Sequence, residues 1–84
     1  MTIPNDKLQL ETYLLDLGNF LKKDAREVAK EYRAASSADN REFLSGKLLA
    51  YYEVITTMQQ QAHAFCLPLE SLSLADINPD DELL

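Results

Sequence analysis

The feature that most constrains this chain is a pair of segments in which apolar residues recur every three or four positions. In the first segment, from about residue 5 to 35, neither a proline nor a pair of glycines interrupts the pattern. In the second, from about residue 40 to 66, the pattern continues until Leu67-Pro68. This spacing places apolar side chains along one side of an α-helix. The sequence therefore predicts an all-α fold built on two long amphipathic helices.

Between the two predicted helices, the composition is typical of a short connection. Residues 36–40 read SSADN, and Asp39 is followed three positions later by Glu42, which resembles a capping box. A capping box at these residues predicts that the second helix begins near Asn40. Because long helices joined by a short connection favour antiparallel packing, we expect a helical hairpin.

Folding the chain about residues 37–38 brings the apolar positions of the two helices into register. Small residues then face large ones at Ala25 and Ala62, as close packing requires. The predicted layers are Leu10 with Phe65, Leu14 with Ala62, Leu17 with Met58, Leu21 with Ile55, Ala25 with Tyr51, Val28 with Leu48, and Tyr32 with Leu44.

Both helices carry more apolar residues than a two-helix seam requires, and two helices alone do not enclose a core. A second copy, the C-terminal residues 67–84, or both must cover the remaining apolar faces. We therefore expect the hairpin to dimerise into a four-helix bundle. The residues expected at the dimer interface are Tyr13, Phe20, Phe43, Ala50 and Val54.

Residues 67–84, the tail, combine leucines with most of the chain's net negative charge. They carry five acidic and no basic residues, against a net charge of −6 for the chain. The apolar residues argue against disorder and predict short helical turns that dock on the chain's own hairpin or on a partner subunit. The mixed-charge run of residues 22–33 on the first helix is either a solvated face with weak ion pairs or the surface that receives this tail.

Two glycines lie inside the predicted helices. Gly18 falls on the apolar face, where it destabilises a helix by up to about 1 kcal/mol relative to alanine. This cost predicts the close approach of another backbone at Gly18. Gly46 lies on the far side of the second helix, where it is either a second contact point or simply tolerated.

The residues with catalytic or metal-binding chemistry are few. His63 and Cys66 lie about one helical turn apart, as a nucleophile with its base or two metal ligands would. A metal site needs at least three ligands, however, and only Gln59 and Gln60 are near in sequence. The simpler interpretation is a structural histidine at the edge of an apolar face. We therefore predict that the chain has no catalytic, cofactor-binding or metal-binding residues and that it is not an enzyme.

Charge and hydropathy argue against two kinds of partner, nucleic acids and membranes. An acidic chain without a basic stripe is poorly matched to a phosphate backbone, so we expect no direct nucleic-acid binding. No segment approaches the roughly 20 apolar residues that span a bilayer, and the N-terminus does not read as a signal peptide. We expect no membrane association and a cytoplasmic location.

These observations favour a small interaction or assembly module that acts as a homo-oligomer, with another protein as a further candidate partner. One alternative is an acidic inhibitor that mimics nucleic acid and binds a basic protein. Another is an enzyme or ligand-binding bundle whose site is formed across a dimer interface. The sequence does not predict the biological process.

Overall fold

The computed structural model describes residues 6–84 as two long helices followed by a short C-terminal segment. Helix α1 spans Asp6–Ala34 and helix α2 spans Ala38–Ala64. A 3-10 helix at Leu69–Leu72 and a final helix α3 at Pro79–Glu82 lie in the tail. No strand is found in residues 6–84, and α1 packs against α2. The predicted all-α helical hairpin is confirmed, although residue 5, the predicted first residue of helix 1, lies outside the described residues.

Helix α2 begins two residues earlier than predicted. Its N-cap is Ser37, whose hydroxyl oxygen accepts a hydrogen bond from the Asn40 amide at 3.1 Å. The predicted capping box at Asp39 and Glu42 is therefore wrong. Ser37 has extended backbone geometry, which aims its short side chain at the free amides of the first turn. Asp39 lies inside that turn, where its charge complements the helix dipole.

Helix α2 ends at Ala64 rather than at residue 66. The Cys66 amide donates to the His63 carbonyl at 3.1 Å, and the Leu67 amide donates to the Ala62 carbonyl at 2.7 Å. This pair of hydrogen bonds is a Schellman motif, in which the residue after the C-cap has a left-handed backbone conformation. Cys66 takes that conformation with φ 58°, at a position where glycine is usual. The sequence predicted the end of α2 two residues late, from Leu67-Pro68, and gave no sign of the Schellman motif.

The residues predicted to line the seam between α1 and α2 are shielded from solvent over most of its length. From the layer of Leu14 and Ala62 onward, every predicted seam residue is buried or half-buried. The first layer is wrong, because Leu10 and Phe65 are 64% and 72% exposed. The tail turns away from α2 at Cys66, and nothing in the described chain covers this end of the hairpin.

The tail docks on its own hairpin, which is one of the two arrangements predicted for it. Its main buried residues include Leu74 and Leu83, which are 0% and 1% exposed. The folded chain is nonetheless thin, with extents of 55 × 27 × 16 Å. Its radius of gyration is 15.4 Å, whereas a compact domain of this length has about 12 Å. No helix within residues 6–84 has the length and hydrophobicity needed to cross a membrane.

Candidate interaction surfaces

The tail is held against α1 at a point where the helix has no side chain. A Cβ atom placed on Gly18 would overlap the carbonyl oxygen of Leu72 in the 3-10 helix. One residue later, the Ser73 hydroxyl donates to the Leu15 carbonyl at 2.9 Å. The predicted close backbone approach at Gly18 is confirmed. A Cβ on Gly46 would meet nothing within 4 Å, so the described part of the chain makes no second contact of that kind there.

Two ion pairs hold the acidic part of the tail against α1. Lys22 Nζ lies 2.6 Å from Asp76 Oδ1, and Arg26 Nε lies 2.8 Å from Glu82 Oε1. Arg26 also donates to the Asp76 carbonyl at 2.9 Å. Of the two interpretations of the mixed-charge run, reception of the tail therefore holds for Lys22 and Arg26.

These contacts shift the pKa values of the groups they join. The hydrogen bond from Lys22 lowers the pKa of Asp76, and the hydrogen bond from Arg26 lowers the pKa of Glu82. The same bond to Glu82 raises the pKa of Arg26. Each shift means that the charged form of the group is favoured in the folded chain.

Helix α2 contacts the tail through two polar side chains. The Tyr52 hydroxyl donates to Asp80 Oδ1 at 2.7 Å, which raises the pKa of Tyr52. The Gln59 amide donates to the carbonyls of Leu74 and Ile77, both at 3.1 Å. Sequence reasoning treated Gln59 only as a neighbour of a metal-ligand pair. Its spacing of seven residues from Tyr52 is the signal that places both on one side of α2.

The five residues predicted at a dimer interface are all exposed in the folded chain. Tyr13 and Phe20 are each 62% exposed, Phe43 is 67% and Val54 is 45%, and Ala50 is also exposed. Phe20 lies two positions beyond Gly18, a rotation of roughly 160° around α1. Val54 has the same relation to Tyr52 on α2. We call the surface of Tyr13, Phe20, Phe43, Ala50 and Val54, which lies away from the tail, the open face.

A second apolar surface lies between the first turns of α1 and the start of the tail. It is a groove of about 420 Å³, which we call the leucine groove. The leucines that line it are Leu8, Leu14, Leu15 and Leu67, with Glu11 and Glu70 beside them. Leu8 and Leu15 are among the apolar residues of helix 1 that lie outside the predicted seam. The sequence did not indicate that the tail would form the other wall.

The residues considered for catalysis or metal binding lie at the surface. His63 and Cys66 are both exposed, and Cys66 is a free thiol beyond the end of α2. Among residues 6–84, no group of three or more His, Cys, Asp or Glu side chains is arranged to hold a metal ion.

Comparison with known proteins gives no relative, since no family model, curated protein or solved structure matches the chain. The function is therefore inferred from the surfaces described above.

Proposed function

We propose that the chain is a protein–protein interaction or assembly module that acts as a homodimer through its open face. The observation that carries the proposal is the exposure of Tyr13, Phe20 and Phe43, each more than 60% accessible, on the surface away from the tail. Aromatic side chains are enriched at protein interfaces because they bury a large area at a small entropic cost. Leaving them in water forgoes about 25 cal/mol for each Å² of apolar surface.

The thickness of the folded chain favours a second layer. Its smallest extent is 16 Å against a longest extent of 55 Å, and the 16 Å already includes the tail on one side of the hairpin. Protein domains are generally built from two packed layers around one core. The tail covers one side of the hairpin, so a second copy laid on the open face would complete a four-helix bundle.

The dimensions of the open face suit a stable dimer. Two helices lying side by side over most of the length of α1 present a surface of roughly 40 Å by 20 Å. Its area, about 800 Å², equals what each partner contributes to a standard-size interface. Half-buried seam residues, among them Leu17 and Met58, would form the floor of this interface.

The charge-mimic alternative has less support from the same contacts. It requires the tail's carboxylates to bind a basic partner. Asp76 and Glu82 are already paired with Lys22 and Arg26, and Asp80 accepts a hydrogen bond from Tyr52. Three of the tail's five carboxylates would therefore have to leave these contacts first.

Sedimentation equilibrium over a range of concentrations tests the proposed dimer. Val54→Asp places a charge on the open face, and Leu49→Asp is its control. The two residues are similarly exposed, at 45% and 48%, but Leu49 lies off the open face on α2. We expect the wild type to dimerise, Val54→Asp to weaken the dimer by at least about tenfold, and Leu49→Asp to leave it intact. A wild type that stays monomeric, or equal effects of the two variants, contradicts the proposal.

A further inference from the structure

The leucine groove has two walls of different origin. Leu8, Glu11 and Leu15 come from the first turns of α1, whereas Leu67 and Glu70 come from the tail. Leu8, Leu15 and Leu67 are 57%, 40% and 46% exposed, so much of the apolar lining is in contact with water. The groove exists only because the tail is docked beside α1.

This groove is separate from the open face. The Leu15 carbonyl accepts the hydrogen bond from Ser73 of the tail, and Leu15 lies two positions beyond Tyr13 on α1. Residues two apart point to different sides of a helix. A second copy bound at the open face would therefore leave the leucine groove uncovered.

The charges at the groove are of one sign. Glu11 and Glu70 stand on opposite walls, and no lysine or arginine of residues 6–84 lines the groove. Within residues 6–84, the ion pairs are Lys22 with Asp76 and Arg26 with Glu82, so neither groove carboxylate is neutralised by one. An apolar floor between two carboxylates complements a ligand that has apolar anchors and a cationic group on each side.

We propose that the leucine groove binds an amphipathic helix of a partner protein, with apolar anchors in the groove and basic residues beside Glu11 and Glu70. Helices dock in apolar grooves through anchors spaced three or four residues apart. The lysines or arginines that flank such a stripe reach the carboxylates on the two walls. This site is additional to the proposed dimer interface.

Two synthetic helices serve as probes. The first contains only leucine and lysine in an amphipathic pattern, and the second replaces every lysine by glutamate. We expect the leucine–lysine helix to bind the full chain saturably in calorimetry and to shift the methyl NMR signals of Leu8, Leu15 and Leu67. Equal binding of the leucine–glutamate helix overturns the proposal, because the carboxylates would then not select the ligand.

Matched variants separate the groove from the general negative charge. Replacing Glu11 and Glu70 by glutamine should weaken binding about fivefold, the effect of two exposed ion pairs. Replacing the exposed Glu42 and Glu53 of α2 removes the same charge elsewhere and should change the affinity much less. Equal effects of the two double variants overturn the proposal.

The failure of this proposal can be told apart from the failure of the proposed dimer. Val54→Asp should still bind the leucine–lysine helix with the wild-type affinity, because Val54 is on the open face. A loss of binding in Val54→Asp, or shifts centred on Phe20 and Phe43, overturns the groove as the binding site. Neither result depends on whether the wild type dimerises.

Discussion

The Gly18 Cα and the Leu72 carbonyl oxygen are so close that any side chain at position 18 would overlap that oxygen. Glycine therefore has a structural reason to stand within α1 despite its low helix propensity. The contact joins residues far apart in the chain and sets where the tail begins its course along the hairpin. Further along the tail, the hydrogen bond from Ser73 to Leu15 and the two ion pairs hold it against α1 as far as α3.

Gly18→Ala should destabilise the folded chain by about 1–3 kcal/mol, the usual cost of overpacking. The added methyl group would collide with backbone, which cannot rotate away as a flexible side chain can. Urea unfolding followed by circular dichroism measures the change.

Gly46→Ala is the matched control, because a Cβ there meets open space. It should stabilise the chain by up to about 1 kcal/mol through helix propensity alone. If the two glycine variants change the free energy of unfolding in the same direction, the contact with Leu72 is not what requires glycine at position 18.

Gln59→Ala should loosen the tail without unfolding the hairpin. It removes the donor shared by the Leu74 and Ile77 carbonyls and leaves these acceptors without that partner, at a cost of about 1–3 kcal/mol. Hydrogen exchange at the Leu74 amide, which donates to the Leu69 carbonyl, reports the opening of the tail. The exposed neighbour Gln60 provides the control, since Gln60→Ala should leave this exchange rate unchanged. Comparable acceleration in both variants would argue against the role of Gln59.

Arg26→Gln should lower stability at neutral pH, and part of that difference should disappear in acid. The pKa of Glu82 is lowered by Arg26, so the ion pair contributes fully above the unfolded value of 4.5. This contribution is lost as the pH falls through the lower folded value. The partners are 41% and 34% exposed, which limits the pair to about 1 kcal/mol or less.

Urea unfolding at a series of pH values from neutral to below the carboxyl pKa tests this dependence. The bond from Arg26 to the Asp76 carbonyl does not titrate, so a pH-independent remainder should persist. Lys23→Gln removes the same charge from an exposed residue with no ion pair among residues 6–84. A difference between wild type and Arg26→Gln that stays constant with pH would contradict the prediction.

Ser37→Ala should destabilise the chain by about 1 kcal/mol, because it removes the acceptor for the Asn40 amide at the start of α2. Asp39→Ala should cost less, since Asp39 contributes only through the helix dipole. Thermal unfolding of the two variants under the same conditions compares them. A larger loss for Asp39→Ala would restore the capping box predicted from the sequence.

The sequence by itself determined the two long helices, their antiparallel packing and most of the seam. Helical periodicity is a local property, and a short connection leaves few ways to pack the helices it joins. It also marked Gly18 and the surplus apolar residues of the open face.

Only the tertiary structure decided where the tail docks on the hairpin. Lys22 and Asp76 are separated by 54 positions, and no periodic pattern relates them. The tail has little regular structure, so its path depends on side-chain contacts with the hairpin rather than on its own repeat. The Schellman motif that ends α2 was likewise not predicted, because Cys66 takes the left-handed conformation that glycine usually supplies. The docking of the tail covers one side of the hairpin, forms the leucine groove and leaves the open face with Phe20 and Val54 in water.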